Sequence, residues 1–169
     1  MGGQKMTESD IQNVLGRHLF LQNICIPNVT MHVPGHRPYE ADLIYFNIKS
    51  EYITEVEIKV TMVDFRNDFK KEYYHDHPSV KYLYYAMPES MYSRNKEEID
   101  SMLNLAGIIT ISEANMDIKR GPFPVLVRYE KKARVRKNAC PMSKNDKIDF
   151  MRIGCMKWVN RKQEGVTCI

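Results

Sequence analysis

Between residues 8 and 87 the hydrophobic period changes in the order helix, strand, strand, strand, helix, strand, and this order restricts the fold more than any one segment. Thr7 and Asp10 form a T-x-x-D capping arrangement ahead of Ile11, Val14, Leu15, Leu19 and Leu21, which predicts a helix over 8–22. Runs rich in β-formers follow at 25–33, 41–48 and 51–60. Pro34-Gly35 separates the first two and Lys49-Ser50 the last two, so they read as an antiparallel meander. Thr61 and Asp64 repeat the helix-start signal. Val63, Phe65, Phe69 and Tyr73 supply an apolar side for a second helix, which reaches about Tyr74 before His75-Asp76-His77-Pro78 stops it. Val80 to Met87 is so dense in apolar and aromatic residues that it reads as a strand buried on both sides. A helix between the third and fourth strands permits a crossover, and the fourth strand can then lie parallel to the third. The expected class is α/β (α+β), a central mixed sheet flanked by helices. Beyond it the sequence predicts a polar helix over 93–105, a strand over 107–111, a strand or hairpin over 125–135 and a helix over 145–160.

No repeat or low-complexity linker divides the 169 residues, so one domain is expected, with a flexible lead over 1–6 and a basic extension over 119–169. No apolar run approaches the roughly 20 residues of a spanning helix. The start lacks the hydrophobic stretch of a signal peptide, so the expected location is intracellular, in the cytoplasm, with no membrane partner. Cys25, Cys140, Cys155 and Cys168 are scattered, and the paired spacing of a zinc or dithiol site is missing. Charge is unevenly spread. Residues 1–118 hold 11 Lys and Arg against 17 Asp and Glu, whereas residues 119–169 hold 14 against 4. A basic C-terminal third suits an anionic partner, nucleic acid first, and an acidic remainder can supply carboxylates to a metal; solubility alone is the plainer explanation.

The hairpin between the second and third strands brings the acids together. With its turn centred between Lys49 and Ser50, opposed residues have numbers that add to 99, which sets Asp42 opposite Glu57. Any even-length loop about this centre keeps the pairing, and a bulge would shift it. Lys59 shares the face of Glu57, and Glu40 that of Asp42. Two carboxylates about 5 Å apart repel by about 3 kcal/mol at an effective dielectric near 20. A divalent cation offsets this directly, and Mg²⁺ is commonly held by one or two carboxylates. The alternative is that each acid finds a surface Lys or Arg. Against it, Leu43, Val56, Ile58 and Val60 flank these charges, and charge embedded in a core strand needs a reason.

Glu40-Ala41-Asp42 followed by Glu57-Ile58-Lys59 resembles the signature of the PD-(D/E)XK nuclease superfamily. Val56 to Val60, Asp64-Phe65 with Asp68 and Lys70, Tyr82 to Pro88, and Ala106 to Ile109 are similar to its MmcB-like branch, associated with DNA repair. The resemblance covers roughly residues 8–112. It implies a restriction-endonuclease-like fold, a DNA substrate and a Mg²⁺ site that Mn²⁺ can also fill. Asp42 and Glu57 would be ligands together with the Ile58 carbonyl, and Lys59 the catalytic lysine. Glu8 matches an extra acidic position, although an acid there also complements the helix dipole. Lys70 matches a basic residue of the following helix, or is a solvated charge. Lys71 stands where the family has a tryptophan. The expected function is metal-dependent endonucleolytic hydrolysis of DNA in repair, processing or mobile-element metabolism. The alternative is a catalytically silent nuclease-fold module that binds DNA or a protein partner. A homodimer would let two sites address two strands.

Lys131, Lys132, Arg134, Arg136 and Lys137 are five cations in seven residues. On a strand, Lys132, Arg134 and Arg136 would share one face, a spacing suited to tracking phosphates. Guarding a strand edge is the competing role. His75-Asp76-His77 falls in a turn without further Cys or His at zinc spacing.

Overall fold

In the computed structural model, which describes residues 6–72, 74–112 and 127–163, the first helix opens on a closed capping box. Thr7 Oγ1 accepts from the Asp10 N–H at 3.2 Å, and the Thr7 N–H donates to Asp10 Oδ2 at 2.9 Å, which starts α1 (Glu8–Leu19). Met6, expected in the flexible lead, is only 2% exposed. It precedes the cap and joins the same apolar cluster as Ile11, in the arrangement of a hydrophobic staple.

β1 (Ile24–Met31), β2 (Tyr39–Phe46) and β3 (Ile53–Ile58) form the antiparallel meander. α2 (Met62–Asp68) crosses to β4 (Val80–Pro88), parallel to β3. α3 (Glu89–Arg94) and α4 (Lys96–Met102) lead to β5 (Gly107–Ile111), parallel to β4. β6 (Val127–Lys131) closes the sheet antiparallel to β5, and α5 (Lys144–Gln163) follows. The sheet order is β1-β2-β3-β4-β5-β6, a mixed six-stranded sheet flanked by helices. Under α1 one face buries Leu43, Val56, Ile58, Ala86 and Ile109. The other face carries two apolar clusters. Ile26, Ile44, Phe46 and Ile53 pack with Met142 and with Phe150 of α5, and Phe65, Met87, Ile99 and Ile108 form the second. The acidic residues of β3 lie on this second face.

Three predicted elements shift. α2 stops at Asp68 instead of about Tyr74, and Val63 and Phe69 of its supposed apolar side are 66% and 44% exposed; Tyr73 lies outside the described residues. Two short helices replace the one over 93–105. The run over 125–135 is a strand only to Lys131, with 125 and 126 outside the described residues. From there the chain turns into an extended strap: Arg134, Arg136, Cys140 and Met142 donate backbone N–H groups to the carbonyls of Leu105 (2.8 Å), Lys81 (3.0 Å), Pro78 (2.8 Å) and Glu51 (2.6 Å). The strap thus crosses the N-terminal ends of β5, β4 and β3, where free carbonyls outcompete continued pairing with one neighbour. Among the described residues no helix is long and apolar enough to cross a membrane.

Candidate functional site

Alternation along β3 places Glu55, Glu57 and Lys59 on one face at 0%, 1% and 3% exposure. Charges so deep must be paired. Lys59 Nζ donates to Glu57 Oε1 at 2.5 Å and lies 3.2 Å from Asp68 Oδ1 and 3.8 Å from Asp64 Oδ2. The helix that begins at Met62 delivers both aspartates to this lysine.

The hairpin keeps the expected register: Leu43↔Val56, Ile44↔Glu55 and Tyr45↔Thr54, across a six-residue connection from Asn47 to Tyr52. Extended by one pair, the ladder sets Asp42 opposite Glu57. The ladder stops there because the Asp42 side chain takes over, Oδ2 accepting the Ile58 N–H at 2.7 Å. From α1, Gln12 Nε2 donates to the Asp42 carbonyl and to Asn28 Oδ1, both at 2.9 Å. Asn28 has φ 50 and interrupts the β1–β2 ladder at this point. Glu57 Oε2 is buried without a hydrogen-bond partner. Burial pushes the Asp42 carboxyl up to about 6. Burial and then the Asp42 charge push Glu57 up to about 8. Lys59 answers one oxygen of Glu57, and the other oxygen has no partner.

A second arm is built on His75, which adopts φ 62, a region unfavourable to residues with a Cβ. Its Nδ1 bonds to Glu55 Oε1 and its Nε2 to Asp68 Oδ2 at 3.1 Å. Tyr39 and Tyr85 donate hydroxyls to Glu55 Oε2 and Asp68 Oδ2, each at 2.7 Å, and Lys71 Nζ to Asp68 Oδ1 at 2.9 Å. Arg136 Nη1 donates to the His75 carbonyl at 2.6 Å, which holds the strained backbone. Burial opposes the imidazolium, but the bonds to Asp68 and Glu55 outweigh it and raise His75 to about 10. For Asp68 burial acts upward, yet His75, Tyr85 and Lys71 together hold its carboxyl far below the usual range. Glu55, Glu57 and His75 each offer an atom within 4.8 Å of the others, a possible cation set.

The structure brings Asp42, Glu57, Ile58 and Lys59 into one place. Glu8 is exposed in the first turn of α1, 3.5 Å from Gln12 Nε2, and its charge contributes to the raised Asp42 pKa. Glu40 is exposed. Lys70 points away, bonding Asn67 Oδ1 at 2.9 Å in the turn after α2; Lys71 beside it is the basic residue that reaches the cluster. Among the C-terminal cations, Lys132, Arg134 and Lys137 are exposed, Lys131 donates to the Leu103 carbonyl, and Arg136 is engaged by His75 and Asp76. They do not share a strand face, since the strand has ended. Sequence reasoning missed Glu55, Gln12, Lys71 and the inward turn of His75. The Glu-x-Glu-x-Lys alternation could have exposed Glu55; the others carry no local signal.

No family model and no curated protein matches this chain. Among solved structures it is similar to SPO1766, a protein of unknown function from Silicibacter pomeroyi, with a TM-score of 0.59 and 14% identity over 98% of this chain and 99% of that one. At that identity the two share a fold, and the comparison extends no further.

Proposed function

We propose that the chain is a metal-dependent DNA nuclease of the PD-(D/E)XK type, with Asp42, Glu57 and Lys59 as its working residues. The carrying observation is the buried, unpartnered Glu57 Oε2, opposite Asp42 and next to a lysine that is itself buried and paired. Two carboxylates and the Ile58 carbonyl are hard oxygen donors that suit Mg²⁺, or Mn²⁺ in its place, with Glu8 as an outlying acid. This oxygen set is favoured over Glu55, Glu57 and His75 because both His75 ring nitrogens are already engaged. The cation, when bound, supplies Lewis acidity to a phosphoryl oxygen and lowers the pKa of water.

Lys59 works as a fixed positive charge. Burial acts against its ammonium, but Glu57, Asp68 and Asp64 more than offset that and raise its pKa, so it does not serve as a base near neutrality. It can stabilise the negative charge that develops on a scissile phosphate and orient the attacking water. Asp68, with Oδ1 3.2 Å from Lys59 Nζ, helps to position the ammonium. The exposed Lys132, Arg134 and Lys137, with Lys70 on another segment, can bind backbone phosphates without reading sequence.

The test is cleavage of plasmid, linear duplex, single-stranded and branched DNA in Mg²⁺, Mn²⁺ or EDTA. Wild-type protein is expected to cut only with metal, Asp42→Ala and Glu57→Ala to lose at least about a hundredfold, and Lys59→Ala to lose cutting while it still binds DNA. Salt-sensitive DNA binding by a wild type that cuts nothing in either metal would replace the enzyme with the silent binding module.

A further inference from the structure

Beside Asp68 opens a cleft of about 380 Å³ whose chemistry differs from that of the carboxylate pair. Among the rings that line it, Phe69 and Tyr85 stack at 11° with centroids 6.0 Å apart. Tyr85 is buried, but Phe69 is 44% exposed and Leu105, which also lines the cleft, is 60% exposed. Its acids are already answered: Asp68 by His75, Tyr85, Lys71 and Lys59, and Asp76 by Arg136 at 3.2 Å. Arg134 remains. Its backbone N–H is fixed to the Leu105 carbonyl, and among the described residues its exposed guanidinium has no partner. An exposed aromatic face beside an unanswered cation suits a planar ligand that carries negative charge. The volume lies within the range of small-ligand sites, about 300–1,000 Å³, enough for a single nucleotide.

We propose that this cleft receives one unpaired nucleotide of the DNA strand, its base against Phe69 and its phosphate at Arg134. The ligand's identity as DNA rests on the nuclease reading, and the inference narrows that reading to substrates with single-stranded character near the cut. Lys132 and Lys137, exposed on the same strap as Arg134, continue the positive charge to either side.

The experiment is fluorescence anisotropy in EDTA, where nothing is cut, on labelled oligonucleotides of one sequence: single strand, blunt duplex and duplex with a short flap. Single strand and flap are expected to bind about tenfold more tightly than blunt duplex. Phe69→Ala should remove most of that preference and leave duplex affinity unchanged. Because Phe69 also packs on Phe65, Arg134→Ala serves as a second variant, expected to weaken strand binding about fivefold, to flatten its salt slope by about one phosphate and to leave the melting temperature unchanged. Equal binding of strand and duplex, or a preference that both variants keep, overturns the inference even in a protein that cuts DNA. A preference that both variants lose supports it even in a protein that cuts nothing, so the two readings fail separately. A deoxynucleoside monophosphate that binds alone as tightly as the oligonucleotide would make the cleft a free-nucleotide site and overturn the DNA assignment.

Discussion

Glu57, His75 and Asp68 set the pH behaviour of the metal-free protein. Glu57, raised from 4.5 to about 8, and His75, raised from 6.5 to about 10, hold their protons more tightly folded than unfolded. Their stabilisation is complete below the unfolded values and is lost as pH rises through the folded ones. Asp68 acts in the opposite sense, since its lowered pKa contributes above 3.8 and is lost in strong acid. Urea titrations in EDTA are therefore expected to find greatest stability near about pH 5, with a decline towards pH 10. Under the proposed function a divalent cation would displace protons from Asp42 and Glu57, so the melting-temperature rise at fixed Mg²⁺ should grow between pH 6 and 8. Glu57→Gln should flatten the metal-free decline over that interval and abolish the Mg²⁺ response, read by calorimetry. His75→Ala would leave Glu55 buried without its cationic partner and remove one of the three cations around Asp68, a loss of about 3 kcal/mol measurable by denaturant unfolding.

The β2–β3 hairpin and the strap show what an element can and cannot reveal of itself. The facing of Asp42 and Glu57 was legible because a connection with an even number of residues about the Lys49-Ser50 centre preserves register whatever its conformation; the Ser50 N–H bonded to the Asn47 carbonyl at 2.9 Å closes it. The end of α2 was not legible, because Phe69 and Tyr73 continue the helical period while Asp68 is bound into the buried network. The strap was missed for the converse reason. Its alternating Lys132, Arg134 and Arg136 look like a strand, but its hydrogen bonds go to three separate segments rather than one partner. Gly107 sits where this strap presses on β5. A Cβ there would meet the Tyr84 ring and come within 2.6 Å of the Ala133 backbone nitrogen, which cannot move aside. Gly107→Ala is expected to cost about 1–3 kcal/mol in denaturant unfolding.

At the scale of the whole molecule, the described part of the basic third, 127–163, supports the sheet and is also a candidate DNA surface. The strap ties together the ends of three parallel strands, and Met142 and Phe150 complete the cluster over β1 and β2. A chain ending at Lys131 would uncover Ile26, Ile44 and Phe46, and is expected to bind a hydrophobic dye and to melt without a cooperative transition. Hydrophobic period and turn spacing, both local properties, were enough to establish the order of the core elements, the crossover between β3 and β4, and the facing of Asp42 and Glu57. The buried chain from Glu55 through His75 and Asp68 to Lys59 came only from tertiary packing. So did the exchange of Lys70 for Lys71 and the cleft between Phe69 and Arg134. The residues so brought together are 3 to 65 positions apart with loops lacking periodicity between most of them, and the buried chain forms because charges removed from water must find partners wherever the fold brings them.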